Sequence, residues 1–170
     1  MLLLTDNYIL DTNIIIDFQS AEILSYLNCN FFFVSNVVYT EEISKQIKSD
    51  SYHQLNLINE YYEELVVAKN YSERNKRISF YDALNLSIAI NRKMILVTGD
   101  QQLIKFALSL GVKCIGTIGF IEILLKKNLI NVKESIQALK NLKMDLTRRI
   151  PHQLIDSLIQ KLESSEVLVK

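Results

Sequence analysis

Asn7–Asp17 reads NYILDTNIIID, two apolar runs parted by a polar break. A short apolar run, Tyr8-Ile9-Leu10, stops abruptly at Asp11-Thr12-Asn13, and a second apolar run, Ile14-Ile15-Ile16, follows at once. A buried strand that ends on a carboxylate puts that carboxylate at the strand's carboxyl end, where open parallel α/β sheets bind ligands. Taken by itself, Asp11 has a simpler role as the N-cap of the helix that follows. The rest of the chain must supply the reason to read more into it.

Working outward, Phe31–Val34 (FFFV) is a continuous apolar run suited to a strand covered on both faces. Ser35-Asn36 offers a helix cap, and VVYTEEISKQI (37–47) places Val38, Ile43 and Ile47 near one face, with Glu41 and Glu42 in its early turns. Ala21–Leu27 has helical spacing. A polar, Tyr-rich helix is expected from about Tyr52 to Glu64, a small third strand at Leu65-Val66-Val67, and a charged loop or weak helix at Tyr71–Arg77. The segment after Ser79, FYDALNLSIAI, leaves almost no polar face and predicts a helix buried on most sides. Met94–Val97 (MILV) is the clearest strand, ending at Thr98-Gly99-Asp100. Gln101–Leu110 predicts an amphipathic helix stopped by Gly111. Val112–Ile115 is the last strand, and a helix runs from Gly116 to about Lys127.

Strand and helix patterns alternate, and no Asn-Gly or Asp-Gly hairpin signal separates the strands. That predicts an α/β fold with a central, mostly parallel sheet of four to five strands, helices on both faces and helices at the C-terminus. The character changes at Asn131, so a domain over 1–130 and a helical extension over 131–170 are expected. In the extension, Pro151 opens a helix whose stripe Leu154, Ile155, Leu158, Ile159 and Leu162 must bury against the domain's own flank or a partner subunit. A homodimer is the expectation.

Composition narrows the function classes. The chain has 170 residues, 49% of them hydrophobic, and a formal net charge of zero. Such a chain can bury a full core and is no global electrostatic trap for nucleic acid, so any such binding must use local patches. No apolar run approaches the roughly 20 residues a membrane helix needs, and MLLLTDN lacks the pattern of a signal peptide. Cys29 and Cys114 read as buried thiols of a cytosolic protein. His53 and His152 read as surface residues. The basic clusters at Arg74–Arg77, Arg92-Lys93 and Arg148-Arg149 read as solvated faces, with Arg74–Arg77, just before the Asp82 helix, best placed for phosphate contacts.

Two strand-like runs end alike, one at Asp11 and the other at Asp100, so a parallel sheet sets both carboxylates on one edge. Glu41 and Asp82 lie in early turns of helices that begin near that edge. Each acid alone also fits a structural role: Asp82 closing a capping box with Ser79, Asp100 capping a helix, Glu41 favoured by the helix dipole. Together, an Asp/Glu cluster without histidine or thiol suits a hard cation, Mg²⁺ or Mn²⁺. Such a cation activates water and stabilises a phosphoryl oxyanion.

The segments YILDTNIII, VSNVVYTEEI, FYDALNLSIAI and ILVTGD, in that order, resemble the PIN domains, and within them the VapC-like toxin nucleases. The run GVKCIGTIGFIEILLKKNLI resembles the end of one subgroup that carries a helical tail. The resemblance implies a three-layer α/β/α fold, acids around one or two Mg²⁺ or Mn²⁺ ions, and endonucleolytic hydrolysis of single-stranded RNA. In a toxin–antitoxin pair it also implies a small antitoxin over the acidic pocket. It puts the four acids on Asp11, Glu41, Asp82 and Asp100, with Glu42 the rival of Glu41. Thr12, Asn13 and Thr98 match supporting polar positions. Gln101 and Gln102 stand where many relatives carry a further acid or Asn. Two other readings stay beside this one. A PIN-like module that binds RNA or protein without turnover would keep the fold. A phosphatase of the haloacid dehalogenase type wants an acid two residues after Asp11, where Asn13 stands.

Overall fold

A computed structural model describes residues 6–47 and 55–167 of the chain. Its centre is a five-stranded, all-parallel sheet in the order β3-β2-β1-β4-β5. The strands are β1 (Tyr8–Leu10), β2 (Phe32–Ser35), β3 (Leu57–Ile58), β4 (Ile95–Val97) and β5 (Cys114–Ile115). The chain builds outward from β1 to β3, then crosses back to lay β4 on the other side of β1. The order therefore reverses between β1 and β4, which makes the crevice beyond their carboxyl ends the expected ligand site. Register sets Leu10 opposite Val97, so Asp11 and Thr98, one step on, meet side by side.

Among the described residues, eight α-helices flank the sheet: α1 (Thr12–Ser20), α2 (Asn36–Glu41), α3 (Tyr62–Arg74), α4 (Phe80–Asn91), α5 (Gln101–Ser109), α6 (Thr117–Lys126), α7 (Val132–Met144) and α8 (His152–Val167). One face is closed by aromatics. Phe120 of α6 packs on Tyr8, Phe18 and Phe32, with ring centroids 5.8, 5.3 and 4.9 Å away. Elsewhere, α4 packs on β1 and β4 and against α3. This helix is buried along Ala83–Ala89, as its lack of a polar face requires. Gly111, at φ +76°, ends the turn after α5 in a conformation that L side chains rarely adopt.

Two sequence expectations shift. Leu65-Val66-Val67 is helical, inside α3, and the third strand is Leu57–Ile58. The reason is a long-range ion pair. Glu64 is buried, and its two carboxylate oxygens accept from Arg92 Nε and Nη2 at 2.7 Å each. The same carboxylate accepts from Tyr61 N and Asn91 Nδ2. That arrangement binds the first turn of α3 to the end of α4 and commits Leu65–Val67 to the helix. Despite burial, these donors and the guanidinium charge hold the Glu64 carboxyl below its ordinary range. Arg92 is thus part of a clamp rather than of a solvated face. The expected helix from Tyr52 and the reading of His53 begin outside the described residues; within them, α3 starts only at Tyr62.

The C-terminal stripe turns inward on its own chain. Ile155, Leu158 and Leu162 are buried, while Leu154 is exposed. They join Ala138, Leu139 and Leu142 of α7 in the same buried cluster as the sheet, and both helices pack on α6. Cys29 and Cys114 are free and half-buried. Among the described residues no helix is long and apolar enough to cross a membrane.

Ile155 is fully buried, so Ile155→Ala should lower stability by about 2–4 kcal/mol, read as a lower midpoint in urea denaturation at unchanged slope. A loss under about 1 kcal/mol would show that α8 does not hold the domain together.

Candidate metal and active site

The site starts at the last peptide of β1. Asp11 N donates to Val97 O, continuing the ladder one step past the strand. The chain then turns into α1, and Asp11 is its N-cap, with Oδ1 accepting from Thr12 N at 2.8 Å. Its Oδ2 accepts from Thr98 Oγ1 at 2.7 Å, and Thr98 Oγ1 accepts in turn from Asp100 N at 3.1 Å. Asp11 therefore caps a helix and stands at the β1–β4 crevice at the same time. One geometry serves both roles.

Asp11 is 2% exposed. Burial, then repulsion from Asp82, then from Glu42 push its carboxyl up from 3.8 to about 7, against the hydrogen bonds from Thr98 and Thr12. Those charges identify which acids face Asp11. Asp82 lies in the first turn of α4, where Oδ2 accepts from Ser79 N and Ser79 Oγ accepts from Asp82 N, a reciprocal capping box. This box fixes the carboxylate at the helix start, beside the crevice.

The two neighbouring glutamates point different ways. Glu41, the last residue of α2, points to solvent and pairs with Lys45 at 3.4 Å. Glu42 follows the helix at φ −121°, ψ −56°, outside the helical region. That departure carries its side chain to Thr12, whose Oγ1 donates to Glu42 Oε2 at 2.6 Å. The structure brings Asp11, Thr12, Glu42, Asp82 and Thr98 together and leaves Glu41 outside.

Asp100 stands at the rim. It caps α5, with Oδ1 accepting from Gln102 N and Leu103 N at 2.7 and 2.8 Å. It also lines a cavity of about 450 Å³ beside the crevice, together with Asn13, Asp17, Gly99, Gln101, Thr117, Thr147, Arg148, Arg149 and Ile150. Asp17, in the opening stretch, was not among the expected site residues. It is 4% exposed, accepting from Arg148 Nε at 2.6 Å and from Thr117 Oγ1 at 2.5 Å. Burial pushes its carboxyl up, against both donors. Arg148, expected on a solvated face, is thus held inside the fold by a residue 131 positions earlier. A polar residue closing an apolar run, as Asp17 closes Ile14-Ile15-Ile16, was the available signal.

Among the described residues, no three carboxylate, imidazole or thiol groups stand close enough as placed to hold a metal ion. The charge and donor chemistry nevertheless fit one. Asp11 is buried, and two further carboxylates repel it. An all-oxygen set of that kind is relieved by a hard divalent cation.

Compared with known families, residues 7–164 match the model of a family described as a PIN domain, DUF3368. No curated protein matches the chain.

Between pH 4 and 7 the folded chain keeps a proton on Asp11 that the unfolded chain, titrating near 3.8, has released. Metal-free stability should therefore fall by a few kcal/mol as pH rises through that window. Asp11→Asn should remove this fall and be the more stable protein at pH 8, the two converging near pH 4. Urea denaturation in chelator across that range checks it; parallel curves would contradict the burial of the charge.

Proposed function

The chain belongs to the PIN domain family, and from that premise we propose that it is a Mg²⁺- or Mn²⁺-dependent endoribonuclease that hydrolyses phosphodiester bonds of single-stranded RNA. A nuclease-type fold is what the family brings; the metal, the RNA and the endonucleolytic cut are the reading. The observation that carries it is the buried Asp11 carboxyl, facing Asp82 and Glu42 at the carboxyl end of the central strand.

Asp11, Asp82, Asp100 and Glu42 are the residues that would hold the ion. When bound, a divalent cation lowers the pKa of a water molecule and stabilises charge on a phosphoryl oxygen. The chain's own contribution is placement. Thr98 fixes Oδ2 of Asp11 from the neighbouring strand, and the α1 backbone fixes Oδ1. Ser79 fixes Asp82, and the first turn of α5 fixes Asp100. Glu42, held by Thr12, would orient water or share the ion. Asn13, exposed at the start of α1, is free to reach phosphate or metal-bound water. These local bonds set where each acid stands and leave lone pairs of its carboxylate open to an ion.

We extend the reading to the toxin of a toxin–antitoxin pair, whose small antitoxin would cover the acids. Support for that step is the likeness of the four motifs to VapC-like nucleases.

Three substitutions test the assignment. Asp11→Asn should abolish Mn²⁺-dependent cleavage of single-stranded RNA, by about a hundredfold or more, while circular dichroism stays native. Glu42→Gln should lower kcat by at least about tenfold, and Glu41→Gln should leave it unchanged. Undiminished cleavage by Asp11→Asn overturns the reading; the reverse pattern for the two glutamates overturns the place given to Glu42.

A further inference from the structure

The cavity beside the acids has a wall that the catalytic reading does not use. It is the turn between α7 and α8, carrying Thr147, Arg148, Arg149 and Ile150. Resting on the nuclease reading, we propose that this cavity seats a phosphodiester of the RNA strand next to the one being cut, with Arg149 as its phosphate contact.

Three observations support this. The cavity shares Asp100 with the acidic site, so a strand in one runs directly into the other. Its volume, about 450 Å³, lies in the range of roughly 300–1,000 Å³ typical of clefts that hold a small molecule. Of its two guanidinium groups, one is already engaged. Arg148 is paired with buried Asp17 and donates through Nη2 to Asn13 O at 3.4 Å. Arg149 is exposed and makes none of the ion pairs found among the described residues.

Its base is fixed. Asp145, at the start of the turn, accepts from Ser20 Oγ of α1 and from Thr147 N and Oγ1. Together with the Arg148–Asp17 pair, these bonds pin the turn to α1 at two points, one on each side of Thr147. Arg149 thus projects from a rigid strap over the cavity, so less ordering cost falls on binding. A guanidinium matches a phosphate in shape as well as charge. The amide of Gln101 on the remaining lining suits a sugar or base edge. By this account the C-terminal helices are part of the substrate site, because they hold the turn that carries Arg149.

The test is salt-dependent binding of a short fluorescein-labelled single-stranded RNA, measured by anisotropy in the uncleaving Asp11→Asn background. Adding Arg149→Ala should weaken binding roughly tenfold. It should also flatten the slope of log affinity against log salt by about 0.7, the release of one counterion from a single strand. Lys133→Ala, exposed on α7 and away from the cavity, should change neither. In the otherwise wild-type chain, Arg149→Ala should raise KM for RNA with kcat nearly kept. An unchanged slope for Arg149→Ala, or a weakening no greater than that of Lys133→Ala, overturns this inference while wild-type cleavage leaves the nuclease reading standing. A wild type that binds RNA without cutting it overturns the nuclease reading instead, and one that does not bind RNA overturns both.

Discussion

The structure depends on the junction between β1 and β4. Their parallel pairing sets Leu10 against Val97, and the next residues, Asp11 and Thr98, are joined by a 2.7 Å hydrogen bond. That bond lies where the strand order reverses, with β2 and β3 on one side and β5 on the other. It holds a carboxyl in a place that burial and neighbouring acids make unfavourable for a charge. A sheet with a single buried acid at its switch point is unlike a merely well-packed core. The fold spends stability there, and stored electrostatic strain at one site is the usual mark of function.

Everything else around the crevice serves to fix oxygen atoms. Each proposed ligand is tied by a different local device: a helix N-cap for Asp11 and Asp100, a capping box for Asp82, a threonine hydroxyl for Glu42. These bonds each use part of a carboxylate's accepting capacity and leave lone pairs over. Capping and ligation are therefore compatible, and the simple structural role of each acid is the means by which it is positioned.

The sequence made much of this legible, for local reasons. The apolar runs that stop at Asp11 and Asp100 mark strand ends in any parallel sheet, and the near-continuous burial of α4 follows from its composition. What stayed hidden depended on distant partners or on departures from regular geometry. Leu65–Val67 has the apolar, β-branched character of a strand, but the Glu64–Arg92 pair fixes it in α3. Glu41 and Glu42 are adjacent, and helical periodicity alone cannot choose between them. One backbone step out of α2 at Glu42 sends their side chains apart. Arg148 finds its counter-charge 131 residues away, which no local pattern announces. The α8 stripe was readable as a buried face, and only the tertiary structure shows it closing on its own chain.

Asp11, the proposed metal ligand, would stay partly protonated until the metal arrives. Calorimetric titration with Mn²⁺ near pH 6, repeated in buffers of different ionisation enthalpy, tests it most directly. Metal binding to a carboxyl that titrates near 7 must release a proton. The account predicts Mn²⁺ binding with release of nearly one proton by the wild-type protein, and loss of both the binding and the proton release in Asp11→Asn. Equal Mn²⁺ binding by the two proteins, or none by the wild type, would contradict it.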